Sequence, residues 1–518
     1  MTTAAALGVP AIFNATSHFV DRHLREGRGG KVAIECGDET VTYAELHERV
    51  NRAGSALRTC GGVTTGDRVA LLLLDGPAFA YSFFGAIKIG AVPIPINTLW
   101  KADDYQYVLD DSAARVLIIS EELLPEFARI PSDTRLTLAH VIVVGSRAHP
   151  ELADFEQWLA QGAPDLEAEK TSRDAPAFWL YSSGSTGVPK ACVHLQHDMV
   201  VCAELFGRGV LGLTEADRCF SVAKLFFAYG LGNALYFPLA VGATSILWPG
   251  PPAPAHIYRA IERHVPTVFY SVPTGYGMLL AHEGDFDLSS IRSAVSAGEA
   301  LPPALYERFK RRFGLEVIDG IGSTEALHMF ISNRPGATRP GSSGLVVPGY
   351  DARILDEGGA PTPPGEIGNL WIAGDSTCAA YWNQPEKSAS TIVDGWLRTG
   401  DKYSQDVDGY YWFAGRADDM LKVGGLWVSP VEVENAVAEH PAVQECGVVG
   451  REDRDALVKP AAYVVLRAGV TPTPDLASEL QQFVREKLAE YKRPRWVDFI
   501  AELPKTPTGK IQRFKLRS

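Results

Sequence analysis

The chain has no C-x-x-C pair, no surplus of basic residues, no unbroken apolar run of bilayer length and no phosphate loop of the G-x-x-x-x-G-K-[ST] type. Each absence excludes something. Its seven cysteines (Cys36, Cys60, Cys192, Cys202, Cys219, Cys378 and Cys446) are scattered and odd in number, which suits free thiols in a reducing cytosol better than a disulfide framework or a zinc site. Lys and Arg number 49 against 62 Asp and Glu, a net charge of −13. Counterion release needs a basic surface, so neither nucleic acid nor an anionic membrane is expected as a general partner, and any phosphate binding must be local. The most apolar region, "AYSFFGAIKIGAVPIPI", is cut by Lys88, Pro93 and Pro95 and is too short and broken to span a bilayer. The opening "MTTAAALGVPAIFNATSHFV" lacks a basic start and carries Pro10 where an apolar segment would run, so no signal peptide is expected and the expected compartment is the cytoplasm. Internal repeats and low-complexity tracts are also absent.

What is present is length and alternation. A chain of 518 residues exceeds the size at which one hydrophobic core stops growing, so a large domain plus at least one more is expected. "RVALLLL" precedes "AFAYSFFGAIKIG", "RVLIIS" precedes "EELLPEFARI", and "PTVFYSVP" precedes "GYGMLLAH". Strand then helix, repeated, predicts α/β layers with parallel sheets. Between Pro340 and Trp412 the texture becomes short strands punctuated by Gly and Pro, a small β-rich and barrel-like unit. After "GRADDMLKVGG" a further α/β pattern of about a hundred residues would make a compact second domain. From Arg485 onward ten basic residues face four acidic ones; such a tail either meets an anion across an interface or is a solvated face.

Four stretches carry candidate chemistry. "YSSGSTGVPK" sets Ser182, Ser183, Ser185 and Thr186 around Gly184 and Gly187 and closes on Lys190. Glycine-exposed N–H groups, hydroxyls and an ammonium make an anion nest; the plain alternative is a Ser/Gly turn. "VIDGIGSTEALHMF" reads as a strand ending in a Gly-rich turn with Thr324 and Glu325 at its mouth, where α/β sheets bind ligands. A hydroxyl beside a carboxylate suits a phosphate oxygen and its Mg²⁺, whereas the alternative is a helix N-terminus capped by Ser323. "GWLRTGD" ends at Asp401, a carboxylate able to accept both hydroxyls of a ribose or merely a turn residue. "LPKTPTGKIQR" places Lys510 after Gly509, and an exposed lysine is ordinarily only solvating surface.

Together and in this order, "YSSGSTGVPK", "SAGEALP", "DGIGSTE", "WLRTGD", "GRADDMLKVGG" and "PKTPTGK" resemble the adenylate-forming superfamily of acyl- and aryl-CoA synthetases, adenylation domains and luciferases. The likeness runs from about Thr42 to the end. Within the superfamily, "KLFFAYGLGNAL" and "GSTEALHMF" look most like the benzoate-CoA ligase group. The resemblance implies an α/β fold: a large N-terminal region of two doubly wound subdomains plus a distorted β-barrel (residues 1–415), a hinge at 416–420 about Asp418, and a small mobile α+β C-terminal domain (421–518).

The implied chemistry answers a physical problem. A carboxylate is a poor electrophile, so the acid first attacks the α-phosphate of ATP, pyrophosphate leaves, and the acyl-AMP is then attacked by the thiolate of coenzyme A. Positioning and charge neutralisation supply most of such catalysis. By resemblance the Ser182–Lys190 loop holds the β- and γ-phosphates, Glu325 takes Mg²⁺ and Thr324 binds the α-phosphate. Gly298, Glu299 and Ala300 flank the adenine, Asp319 lies near its amino group, and Gly320 and Ile321 belong to the same wall. Ile321 stands where many relatives have an aromatic residue, so adenine would meet apolar packing there. Asp401 takes the ribose hydroxyls with Arg416 beside it, Lys510 stabilises charge during adenylation, and Gly424 and Gly425 let pantetheine pass close to the backbone unless they are an ordinary hairpin turn. No CoA phosphate contact is assigned.

The acyl pocket implied by resemblance comprises Phe227 at the gate with Ala228, Tyr229, Gly322, His328 and Met329. Aromatics and a Met beside small residues suit a flat aryl ring, while core packing is the alternative for Phe226 and Phe227. His328 is either a satisfied core histidine or a partner for a ring substituent or the carboxylate. The expected substrates are a benzoate-type acid (benzoate, 2-aminobenzoate or a hydroxybenzoate), ATP and CoA, and a homodimer is one assembly open to the chain. Rival readings are an adenylation enzyme loading a separate carrier protein, a luciferase-like oxygenase, and a non-catalytic nucleotide-binding protein.

Overall fold

The computed structural model describes residues 1–147, 149–183, 189–417, 419–423, 426–454, 457–505 and 511–517, with the side chains of Leu136, Ser183, Lys422, Leu426 and Trp427 outside that description. Gly184, Ser185, Thr186, Gly187, Asp418, Gly424, Gly425 and Lys510 therefore lie outside it.

Short apolar runs become parallel strands where helices can cover them. Arg68–Leu72 and Val116–Ser120 are almost wholly buried; they pair in parallel with each other, flanked by Val92–Pro95 on one side and by His140–Val144 and then Ala153–Asp154 on the other. Parallel neighbours require crossovers, which the helices Pro77–Lys88 and Ala102–Ser112 supply. "EELLPEFARI" is not one helix as its apolar pattern suggests. It is a 3₁₀ turn, Glu121–Leu123, followed by a one-turn helix, Leu124–Phe127, because Pro125 lacks an N–H and is tolerated only at a helix start.

A second sheet holds nine strands. Its centre is parallel: Val317–Gly322, Ser293–Ser296, Val268–Ser271, Arg218–Ser221, Thr244–Leu247 and Val32–Cys36 lie side by side. Antiparallel strands close both edges, Met329–Ser332 with Leu345–Val346 at one and Glu39–Thr42 at the other. Two antiparallel units complete the larger region. Asp351–Leu355, Gly368–Ala373, Trp396–Gln405, Ile392–Val393 and Tyr411–Arg416 form a half-barrel, and Pro176–Ser183, Pro189–Leu195 and Ala380–Tyr381 form a three-stranded ribbon. Two doubly wound sheets and a β-rich unit is the arrangement expected.

The last hundred residues have their own core. Val443–Glu452 and Val458–Leu466 pair antiparallel, Trp496–Phe499 joins in parallel, and the helices Pro430–Ala438 and Pro474–Lys487 pack with them around Val433, Val448, Val464 and Leu480. The basic tail is largely neutralised within this unit: Lys492 pairs with Glu432, Lys505 with Glu445, Arg513 with Glu434, and Arg517 with Asp419. Among the described residues no helix is long and apolar enough to cross a membrane.

Candidate active site

The carboxyl ends of the central strands of the nine-stranded sheet are where α/β sheets bind ligands. Val317–Gly322 delivers the turn that follows it, residues 323–328, to this edge. The turn does not start a helix: the chain reverses into the antiparallel strand Met329–Ser332, and Ser323 Oγ accepts from the Ala326 amide at 3.2 Å. Leu327 takes a left-handed φ of +67° to complete the reversal.

Three successive carbonyls of this turn are anchored from outside it. The Thr324 oxygen accepts from His194 Nε2 at 2.9 Å, the Glu325 oxygen from the Cys378 amide at 2.7 Å, and the Ala326 oxygen from Ser376 Oγ at 2.8 Å. Thr324 and Glu325 themselves are half-buried. The Tyr381 hydroxyl donates to Glu325 Oε1 at 2.7 Å, and burial, reinforced by the Glu325 charge, pushes that phenol far above its ordinary range, so its proton stays in place as a donor. On the other face of Tyr381, Lys190 Nζ sits 4.5 Å from the ring centroid, a cation–π contact. Across the ribbon Ser182 pairs with Lys190 and Ser183 with Pro189, and Ser182 Oγ is buried without a hydrogen bond.

The residues expected to enclose a nucleotide come from two places, the carboxyl ends of these strands and the half-barrel. Gly298 follows the strand Ser293–Ser296 with a φ of +89°, a conformation that favours glycine. Glu299 accepts from Thr274 Oγ1 at 3.0 Å; burial raises its carboxyl, partly offset by that hydroxyl and by Lys505 from the C-terminal unit. Lys505 in turn forms a β-bridge with Ile511. Asp319 is buried, its Oδ1 has no hydrogen bond, and desolvation pushes its carboxyl up to about 8. An exocyclic amino group would satisfy that oxygen. Asp401 is opposite Arg416 across the half-barrel, with Arg416 Nη1 donating to its Oδ1 at 2.7 Å.

Beyond the turn lies an apolar cluster. Phe226 and Phe227 pack ring to ring at 4.4 Å. His328 is 2 % exposed, with Phe206, Phe237 and Tyr229 at centroid distances of 5.1, 4.5 and 5.5 Å. Burial lowers its pKa to about 3, so the ring is neutral and Nε2 donates to Asn233 Oδ1 at 3.0 Å. His328 Nδ1 and Asn233 Nδ2 are buried and make no well-formed hydrogen bond. The Tyr229 hydroxyl has one proton and faces the carbonyls of Ser271 and Val295 at 3.3 and 3.1 Å, so towards a ligand it can only accept. Met329 is fully buried, with Ala228 nearly so. At Gly322 the side where a Cβ would stand holds the His328 carbonyl at 2.4 Å; its missing side chain admits the returning strand.

Tyr381, His194, Asp198 and Asn233 were not among the residues expected. Asn233 had a signal, a lone amide inside the apolar run "YGLGNALYF". His194 had a weaker one, a polar side chain in the strand "ACVHL".

Among the described residues no three His, Cys, Asp or Glu side chains gather as a metal cage. One carboxylate beside a phosphate loop instead fits a Mg²⁺ that arrives on a nucleotide, bound by phosphate oxygens, water and one protein oxygen.

A parallel sheet whose carboxyl edge carries a Thr-Glu turn tied through Tyr381 to Lys190, beside a buried acid with an unbonded oxygen, has the features of a nucleotide-using enzyme. The chain belongs to the AMP-binding enzyme family, whose sequence profile matches residues 20–382, while the AMP-binding enzyme C-terminal domain matches 432–510. It is 50% identical over 522 aligned positions to a benzoate–CoA ligase of Thauera aromatica, covering 100% of this chain and 98% of that one. An anthranilate CoA ligase solved in complex with anthranoyl-AMP superposes with a TM-score of 0.94 at 45% identity, covering 99% of this chain and 98% of the other. A benzoate CoA ligase from Burkholderia xenovorans LB400 superposes with a TM-score of 0.90 at 45% identity, covering 98% of this chain and 100% of the other.

Proposed function

We propose that the chain is an ATP-dependent aryl-CoA ligase: it converts a benzoate-type acid to an aryl-AMP with release of pyrophosphate, then transfers the aryl group to CoA with release of AMP. One observation carries this reading. A single turn, residues 323–328, joins Glu325, linked through Tyr381 to Lys190, with His328, set among Phe206, Phe237 and Tyr229; on this reading an acid held against His328 has its carboxylate beside the α-phosphate.

In the first half-reaction a carboxylate oxygen of the acid forms a bond to the α-phosphorus of MgATP while the bond to the bridging oxygen of pyrophosphate breaks. Thr324 binds the α-phosphate, Glu325 offers one oxygen to the cation brought by ATP, and Lys190 with the 182–187 loop holds the departing pyrophosphate. Gly298, Glu299, Ala300, Asp319, Gly320 and Ile321 enclose the adenine, and Asp401 beside Arg416 takes the ribose. Lys510 spreads the charge that develops between carboxylate and phosphate. In the second, the CoA thiolate attacks the acyl carbon and AMP leaves. For that step we assign residues 1–415 and 421–518 as two bodies turning about 416–420 at Asp418, with Gly424 and Gly425 lining the thiol's path.

The acid is aromatic because Tyr229, Phe206 and Phe237 surround His328, whose polar partner there is Asn233, with Phe227 at the gate. An ortho-amino or hydroxyl group finds acceptors there in Tyr229 Oη and His328 Nδ1, which makes 2-aminobenzoate a substrate alongside benzoate. The seven unpaired cysteines support a reducing, cytoplasmic setting, and we place the reaction there.

The test is an ATP–pyrophosphate exchange panel of benzoate, 2-aminobenzoate, hydroxybenzoates and medium-chain fatty acids, followed by thioester formation on free CoA and on a carrier protein. Aryl acids should dominate in kcat/KM, with CoA as acceptor. A fatty acid outrunning every aryl acid refutes the pocket assignment, and thioester formed only on the carrier protein refutes the ligase.

A further inference from the structure

Behind the turn, and out of reach of any substrate, lies a buried pair that neither the motifs nor the proposed chemistry uses. His194 and Asp198 are both fully buried, and His194 Nδ1 lies 2.8 Å from Asp198 Oδ2. The same carboxylate oxygen accepts from the Leu195 amide at 3.0 Å, and its other oxygen lies 3.3 Å from His197 Nε2. The His194 ring stacks on Phe178 at 5.1 Å with 21° between planes, directly across the ribbon. A ring clamped by a carboxylate on one side and a phenyl face on another has one orientation, and that orientation aims Nε2 at the Thr324 carbonyl.

A peptide carbonyl can only accept, so Nε2 must carry a proton, and Nδ1 faces a carboxylate that is itself an acceptor unless the shared proton moves to it. Either way the proton on Nε2 is retained. The strand that bears His194 is Pro189–Leu195, which begins at the end of the phosphate loop. One side chain thus couples the strand leaving that loop to the turn bearing Thr324 and Glu325.

We infer that His194, fixed by Asp198, is a positioning residue for adenylation: it sets the Thr324 carbonyl, and with it the register of the turn against the phosphate loop. This rests on the reading of Thr324 as the α-phosphate ligand. The contribution is to alignment, where a displacement of about 1 Å costs about a hundredfold in rate.

Two amides separate this role from a merely structural one. The nitrogen of Gln overlays Nε2 of the imidazole and reaches the Thr324 carbonyl; that of Asn overlays Nδ1 and reaches only Asp198. Both variants keep a polar group in the buried site. In the full-length chain, His194→Asn should lower kcat for ATP–pyrophosphate exchange about a hundredfold, leave the KM for benzoate unchanged, and spare thioester formation from supplied benzoyl-adenylate. His194→Gln should recover most of the exchange rate at the same melting temperature. Equal losses in His194→Asn and His194→Gln, or parallel loss of both half-reactions, would overturn the inference. Thr324→Val is the separate control. If it exchanges at the wild-type rate, the Thr324 assignment fails; if it is slow while His194→Asn is not, only the positioning role fails.

Discussion

Replacing Gly322 with alanine asks whether the hairpin behind the turn has room to give. A Cβ there would stand 2.4 Å from the His328 carbonyl oxygen, 2.6 Å from its carbonyl carbon and 2.8 Å from the Met329 amide nitrogen. All of these are backbone atoms, so no rotamer change relieves the contact. To restore ordinary van der Waals distance in a close-packed interior, the strand Met329–Ser332 must retreat by about 1 Å. The retreat moves His328 within the pocket and, through the short turn, shifts Thr324 and Glu325 against their anchors. Overpacking of this kind costs about 1–3 kcal/mol of stability, and a misalignment of about 1 Å costs about a hundredfold in rate. Gly322→Ala should therefore remain folded, melt at a lower temperature, and lose about two orders of magnitude of kcat/KM in ATP–pyrophosphate exchange. The control is Gly277→Ala, in the helix Pro273–Ala281, where nothing lies within 4 Å of an added Cβ and φ is not left-handed. That change should stabilise the fold by about 0.5–1 kcal/mol with exchange unaltered. Wild-type exchange in Gly322→Ala would refute the reasoning, since it would mean that the turn tolerates displacement and does not set the geometry of the reaction.

Three further outcomes follow from the same site and its support. Lys510→Ala should lower adenylate formation by about a hundredfold or more, as loss of a charge-stabilising donor does, while thioester formation from supplied aryl-adenylate largely survives; equal loss of both steps would refute a domain rotation that withdraws the lysine. Asp401→Asn should raise the KM for ATP about tenfold, the effect of weakening a hydrogen bond to a charged group by about 1.5 kcal/mol, and the difference from wild type should vanish with 2′-deoxy-ATP if the carboxylate binds the ribose 2′-hydroxyl. His23 is buried, donates from Nε2 to the Leu239 carbonyl and accepts from Arg28 Nε at Nδ1, and burial with the nearby Arg22 and Arg28 lowers its pKa from 6.5 to about 3. Between those values the unfolded chain binds the extra proton, so this part of the stability is present above about pH 6.5 and is lost as pH falls towards 3. His23→Gln should make the acid-side fall shallower by up to about 1.4 kcal/mol per pH unit, read by chemical denaturation at stepped pH; an unchanged slope would show that His23 titrates alike in both states.

The strands Arg68–Leu72, Val116–Ser120 and Val268–Ser271 were legible because a short apolar run flanked by an amphipathic one is a local pattern, and local patterns survive folding when the run is buried on both sides. The turn after Val317–Gly322 was half legible. Its residues are informative, but whether a Ser-Thr-Glu sequence caps a helix or reverses into a strand depends on what lies across it, and Gly320 and Gly322 leave space for a returning strand. "EELLPEFARI" misled because periodicity counts apolar residues and overlooks one missing N–H at Pro125. The supports of the site were the least legible. Tyr381, Ser376 and Cys378 reach the turn from fifty or more residues downstream, and His194 from more than a hundred upstream. Each reads locally as an ordinary strand or loop residue. Groups that touch a nucleotide sit in glycine-rich loops whose backbone demands leave a signature, whereas groups that hold those loops need only a hydrogen bond at the right place, which any strand can deliver. The most informative residues to add are thus polar side chains in apolar strands, such as His194 in "ACVHL" and Asn233 in "GLGNAL": a buried hydrogen-bonding group must find a partner, and around a loop that carries charge the partner is often the loop itself.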